Sequence, residues 1–322
     1  MAIDLEEQPT PFLAESFIGG EQFPINPELH QTLSKAITTV VSAMEIEELF
    51  QVFAHSFLNL EEDILKLSLE YAYIERDDRE HSDDFFNKVR RRLNVRIITI
   101  LTAFQSYDDQ TNRILIHASH LPKVQQANKA ARASAFDDNF SYRVCTALRN
   151  YAQHRDLPLG GFDIGARADF SRDKHGKVRK DSFRYDVSPW LNVTKLKGSS
   201  QTKRNLKNEL EQISHKYIDL KWLLRSFVSA VYHRHETLRQ HLKAEVESAQ
   251  LDISTAYESI SLKKGSEVRF LDLHGGDQKH PMRKDLGTKV LREFKTLTSL
   301  RSAARNYVSS KIELEAKAYS GQ

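Results

Sequence analysis

A single cysteine, Cys145, stands in 322 residues. It excludes an intrachain disulfide and any multi-cysteine zinc site, which fits a reducing compartment, and it reads as a small buried apolar side chain. Proline and glycine are scarce, 8 and 12 residues, and gather near residues 9–27, 158–165 and 265–287. An all-β chain would be punctuated about every ten residues, so long helices are the expectation. No apolar run approaches the roughly 18 residues that cross a bilayer, and the start of the chain has no basic segment leading into an apolar one. A cytoplasmic protein with no membrane partner is expected. The excess of 47 Lys and Arg over 44 Asp and Glu is too small to identify nucleic acid as a partner, because a phosphate-reading surface needs clustered charge.

What the chain does have is apolar residues at helical spacing. Residues 1–26, with Pro9, Pro11, Pro24 and the Gly19-Gly20 pair, show no sustained period and read as an N-terminal arm. Asn26-Pro27 places a capping side chain before a proline at the first helical position, and Leu33, Ile37, Val40, Val41 and Met44 then predict a helix over about 27–44. From Glu45 to Tyr73 the recurrence of Ile46, Leu49, Phe50, Phe53, Phe57, Leu60, Ile64 and Leu67 predicts one kinked helix or two short ones, with Asn59 as the break. The run Glu75–Glu80 reads as a solvated connection. Phe85, Val89, Leu93, Ile97, Ile100, Leu101 and Phe104 give the strongest amphipathic pattern, a helix over about 83–107.

A further helix over about 137–156 carries Val144, Leu148 and Tyr151 on one stripe and stops at Pro158 and Gly160-Gly161. Phe183, Tyr185 and Val187 then alternate with Arg184 and Asp186, and Asp173-Lys174-His175-Gly176 has turn composition. A β-hairpin inserted over about 162–187 is expected. Helical spacing returns over about 203–246 and on to about 262, which completes a helical bundle spanning 27–262. Gly265, Gly275, Gly276 and Pro281 mark a boundary, and 263–322 reads as a C-terminal extension whose last helix carries Leu291, Phe294, Leu297 and Leu300 among lysines and arginines. Those basic residues read as a solvated face.

One segment combines chemistry with context. In Leu148-Arg149-Asn150-Tyr151-Ala152-Gln153-His154 an arginine is followed by a polar residue and, after four intervening residues, by a histidine. The bare spacing recurs at Arg76/His81, Arg113/His120, Arg234/His241 and Arg269/His274. Only Arg149/His154 adds the asparagine, an apolar stripe and a helix stop four residues later. At about 100° per residue Asn150 and His154 share a face and Arg149 reaches round from beside them. An imidazole moves protons near neutral pH and a guanidinium holds a phosphate with paired donors. These are the tasks of metal-independent RNA cleavage.

This segment resembles the motif of HEPN-type ribonucleases, in which an arginine, a polar residue and a histidine close a helix of a small bundle. The helix bearing Arg91 and Asn94 is similar to the one that packs beside the motif there. The resemblance implies a mainly α, HEPN-like antiparallel bundle, here with the hairpin insertion and the C-terminal helical extension. It implies an endoribonuclease with Arg149 and His154 acting and Asn150 assisting, RNA as substrate, no cofactor or metal, a homodimer that brings two motifs together, and a toxin or antiphage role. The alternative is a non-catalytic bundle of the same fold that holds RNA or a protein partner, with Arg149 paired to a carboxylate and His154 finishing the helix.

Other constellations carry less. His233 and His235 point to different sides of a helix and lack an i, i+4 histidine pair with glutamate, so they read as solvated or interface histidines and not as zinc ligands. Asp272, His274 and Asp277 beside Gly275-Gly276 come with no nucleophile or ligand spacing. The basic residues Arg167, Arg172, Lys174, Lys177, Arg179, Lys180 and Arg184, interleaved with Phe170, Phe183 and Tyr185, read as an ordinary charged hairpin in preference to an RNA-contacting one. No phosphate-cradling glycine loop or dinucleotide fingerprint is present.

Overall fold

The structure, a computed structural model, describes residues 10–17, 19–73, 79–172, 174–276, 278–305 and 312–315. It is mainly helical, with eight helices among the described residues and two small antiparallel sheets. No helix is long and apolar enough to cross a membrane among those residues.

Asn26 caps helix α1 (Pro27–Tyr73) by accepting the Leu29 N–H at 2.7 Å. The sequence predicts a break near residue 45 or at Asn59, but α1 runs unbroken for 47 residues. Nothing after Pro27 removes a backbone donor or frees the backbone, and Asn59 has no proline or glycine to help it end the helix. Helix α2 (Arg79–His117) extends the expected 83–107 in both directions. The expected charged connection lies at 75–78 outside the described residues, and Arg79 and Glu80 are already helical. Helix α3 (Pro122–Asp138) was not expected, because it has only Val124 and Asn128 buried and so no apolar stripe.

Helix α4 (Phe140–His154) precedes strands β3 (Gly161–Arg172) and β4 (Val178–Asn192), which pair antiparallel as the alternating sequence predicts. Gly176 makes the turn at φ +77. The long helix predicted over 203–246 is a correction: the segment holds helix α5 (Val193–Lys197) before it, then helix α6 (Arg204–Glu211), strand β5 (Tyr217–Asp219) and helix α7 (Leu220–Lys264). Residues 217–219 leave the helical path because they pair with Trp190–Asn192 of β4, and Asp219 caps α7 by accepting the Lys221 N–H at 2.7 Å. The residues read as an arm contain β1 (Phe12–Glu15) and β2 (Gln22–Pro24). The C-terminal segment contains β6 (Leu271–Gly275), β7 (Gln278–Met282), helix α8 (Leu286–Arg305) and β8 (Ile312–Glu315). Strand β1 pairs with β6 far along the chain, and such short strands offer no period to detect.

Two compact units divide the chain, with boundaries inside α1, α2, α3, α7 and α8. The first holds the chain up to Leu49 with Asp108–Arg132 and Arg234–Leu300. Its sheet runs β2-β1-β6-β7, and the α7 residue Tyr257 donates to the Met282 carbonyl and accepts from the Leu271 N–H at 3.0 Å. Its interior also carries charge. Arg239 grips Glu47 with two donors at 2.9 and 2.6 Å, and His235 Nε2 lies 2.9 Å from the same carboxylate. Arg234 pairs with Asp108 at 2.5 Å, and Arg132 closes on that carboxylate at 2.6 Å. Arg234 and His235 are thus buried partners of acids, so His235 is not a solvated histidine.

Burial alone would raise the Glu47 carboxyl, but His235 and Arg239 outweigh it and hold it at about 2. Burial pushes His235 below its ordinary value against the pull of Glu47, so the ring is neutral at pH 7 and donates Nε2–H. The unfolded glutamate takes up a proton near 4.5 and the folded one only near 2, so this stabilisation is complete above the first value and lost as pH falls through the second. The difference amounts to roughly 3 kcal/mol. Glu47→Gln is expected to destabilise the protein by about 3–5 kcal/mol near neutral pH, since it strands a buried guanidinium. Urea unfolding followed from about pH 7 downward should show the wild-type loss below the glutamate range and a shallower loss in the variant.

Candidate functional site

Within the second unit, an aromatic cluster sets the orientation of α4. Phe104 of α2 and Phe227 of α7 meet edge-to-face at 4.8 Å, and Tyr142 of α4 stands against both at 5.3 and 5.6 Å. Ser141, Tyr142, Val144, Cys145, Ala147, Leu148 and Tyr151 are buried, which is the inward face of a helix with this period. Burial pushes the Cys145 thiol far above its ordinary value, so it is packing and not a nucleophile. The positions left on the outer face include Arg149, Asn150, Gln153 and His154.

Both ends of the helix are fixed. Asn139 accepts the Tyr142 N–H at 2.8 Å, and the Arg155 N–H closes the last turn on the Tyr151 carbonyl at 2.9 Å. Beyond it, buried Asn94 of α2 accepts the Leu159 N–H at 3.2 Å, so the helix that the sequence likens to the motif's neighbour holds the segment leaving the motif. The Gly160 N–H donates to the Trp190 carbonyl at 2.9 Å, and a Cβ at Gly161 would fall inside the Trp190 indole. Only glycine lets β3 start so close beneath that ring.

The three predicted site residues are therefore on the outer side of α4, and of the three only His154 is fully exposed. Arg149 is half-buried and donates from Nη1 to Asn150 Oδ1 at 2.9 Å. No carboxylate pairs with it among the described residues. His154 is exposed in the last turn, where no described side chain bonds its imidazole. Positive charge there suits the helix dipole. Its neighbours are fastened: Arg155 donates to Ser200 Oγ at 2.6 Å, and Lys195 pairs with Asp156 at 3.1 Å.

Asn150 also lines a cleft of about 400 Å³ with residues of α3, α4 and α6 and of the loop before α6. Arg143 forms one wall, donating to the Phe136 and Asp137 carbonyls at 2.7 and 2.6 Å and to Glu209 at 2.7 Å. Phe136, Gln201, Lys203 and Asn205 escape the sequence reading because no apolar period joins α3 or residues 199–205 to the motif. The one available signal was the alanine-rich composition of 127–135, which favours a helix without a stripe.

Other expected constellations separate. Of the interleaved hairpin residues, Arg172, Arg179, Lys180 and Phe170 have side chains outside the described residues. Tyr185 is buried against Tyr71, and Arg167 and Arg184 are exposed. His274 stacks on Phe12 at 4.6 Å, Asp272 is buried beside Lys279 at 2.7 Å, and Asp277 lies outside the described residues. Among the described residues no group of histidine, cysteine and carboxylate side chains is placed to hold a metal ion. No family model matches the chain, and no curated protein or solved structure does either.

Asn139→Ala removes the cap of the motif helix and should lower stability by about 1 kcal/mol, while Asn139→Asp restores most of it. Thermal unfolding of the three proteins side by side measures the difference.

Proposed function

We propose that the chain is a HEPN-like, metal-independent endoribonuclease in which Arg149 and His154 act on RNA and Asn150 positions Arg149. The observation that carries the reading is the state of Arg149, a guanidinium tethered by a neutral amide, with no described carboxylate to neutralise it, on the same helix as an exposed imidazole five residues on. Had Arg149 been locked to an acid, as Arg234 is to Asp108, its positive charge would already be satisfied. A guanidinium tethered in this way keeps donors for a phosphate.

In the reaction the imidazole of His154 takes the proton of a ribose 2′-hydroxyl, and the 2′-oxygen attacks the adjoining phosphorus. The bond from phosphorus to the 5′-oxygen breaks, that oxygen accepts a proton, and the products are a 2′,3′-cyclic phosphate and a 5′-hydroxyl end. Arg149 offsets the charge that builds on the phosphoryl oxygens. One imidazole serves as base and a second as acid, so two copies of the chain with their motifs facing make the complete site. A toxin or antiphage role would follow from such an activity, and the HEPN-like bundle belongs to the same proposal.

A second reading, a non-catalytic bundle that binds RNA or a protein, is favoured by the absence of any described side chain that orients the His154 ring. Incubating a mixed pool of structured and single-stranded RNA with the purified protein in chelator separates the two. Cleavage to 2′,3′-cyclic phosphate ends is expected, lowered about 10²- to 10⁴-fold by His154→Ala and about 10²- to 10³-fold by Arg149→Ala, each checked to be folded. Equal inactivity of all three proteins on every RNA would leave the binding reading in place.

A further inference from the structure

The cleft that Asn150 lines is not needed to hold the motif in place, yet it opens directly beside it. Its base is apolar, formed by the buried Ala147 and Leu206 and the half-buried Thr146, whose hydroxyl is turned back to the Tyr142 carbonyl at 2.9 Å. One side is the Phe136 ring, which Tyr142 braces edge-to-face at 6.4 Å and over which Lys203 Nζ stands at 5.6 Å. Around the rim are three side-chain amides, those of Asn150, Gln201 and Asn205. Asn150 gives its carbonyl oxygen to Arg149, which leaves its two amide N–H donors without an acceptor among the described residues. Gln201 and Asn205 are exposed and unengaged among the described residues. Arg143 is occupied by two backbone carbonyls and Glu209, so it braces the cleft, and Lys203 is the cation of the lining without a carboxylate partner among the described residues.

Each of these features suits a planar heteroaromatic ring. An unstacked base of single-stranded RNA is held by a π-face on an aromatic or a cation, and by amides that donate to and accept from its edge. A phosphate would prefer unpaired guanidinium groups, and a purely aliphatic ligand would leave the three amides unsatisfied. The volume exceeds what one ring fills and leaves space for its sugar.

We infer that this cleft is a nucleobase pocket, which takes the base next to the phosphate handled by Arg149 and His154. Its placement beside a scissile phosphate rests on the ribonuclease reading, but base binding does not. The pocket lies within one unit of one chain, so a single chain suffices for it.

The test is calorimetric titration of the full chain with each of the four ribonucleoside 5′-monophosphates, and with ribose 5-phosphate as the probe that lacks a base. At least one nucleotide is expected to bind, and ribose 5-phosphate much more weakly. Phe136→Leu should weaken that nucleotide about fivefold or more, the loss of one stacked ring. Asn205→Ala, on an exposed position of α6 where folding is not at risk, should weaken it by a similar factor and change the ranking of the four bases. Binding by none of the nucleotides, equal binding of ribose 5-phosphate, or wild-type affinity in Asn205→Ala would overturn the pocket. Each of those results could still coexist with cleavage that depends on His154. Conversely, base binding with no cleavage of any RNA would remove the ribonuclease and leave the pocket.

Discussion

The contact on which the candidate site depends is the edge-to-face meeting of Phe104, Phe227 and Tyr142. Three aromatic side chains from three helices bring a large apolar area together, and their mutual angles fix rotation as well as distance. Because Tyr142 is committed to this cluster, the 3.6-residue period assigns every other position of α4. Val144, Cys145, Leu148 and Tyr151 follow it inward, and Arg149, Asn150 and His154 are left facing out. The polar face of α4 is therefore a consequence of core packing. The short-range devices at its ends, the Asn139 cap and the glycines beneath Trp190, stop the helix from shifting along its axis.

Charge in this protein is handled in two ways. In the interior, carboxylates are matched to guanidinium groups with geometric care: Glu47 to Arg239, Asp108 to Arg234 and Arg132, Asp63 to Arg92 and Arg96. Such pairs add little net stability over apolar packing, but removing one partner is severe, so they fix which helix faces which. Arg149 differs in kind, since its described bond is to a neutral amide. That contrast, within one chain and among residues of the same type, separates arginines matched to carboxylates from one held by a neutral amide.

What the sequence made legible was what depends on local period. The amphipathic helices α2 and α4, the cap and proline that start α1, and the alternation of Phe183–Val187 in β4 all follow from neighbours a few residues apart. The motif was found for the same reason, since its three residues share one helix. Pairings across long separations were not legible: β1 with β6, or β5 with β4 in the middle of an apparently helical run. The burial of Arg234 and His235 was not legible either. Charged side chains are ordinarily outside, and only the positions of Asp108 and Glu47, more than a hundred residues earlier, make their burial tolerable. The cleft beside Asn150 was illegible because α3 is a helix made by alanine propensity, and the ring it contributes, Phe136, sits at its far end.

The small net charge also becomes intelligible at this level. A formal excess of +3 would not draw RNA to the molecule as a whole, and a site that depended on overall field would be weak. Around α4, however, Lys195, Lys197 and Arg143 are paired to Asp156, Glu211 and Glu209, while Arg149, Arg155 and Lys203 have no carboxylate partner among the described residues. A few cations therefore stand beside an amide-rich cleft that Lys203 itself lines. For the proposed nucleotide ligand, those cations would meet a phosphate and the amides the edge of an unstacked base, a division of labour that the outside of a duplex does not call for.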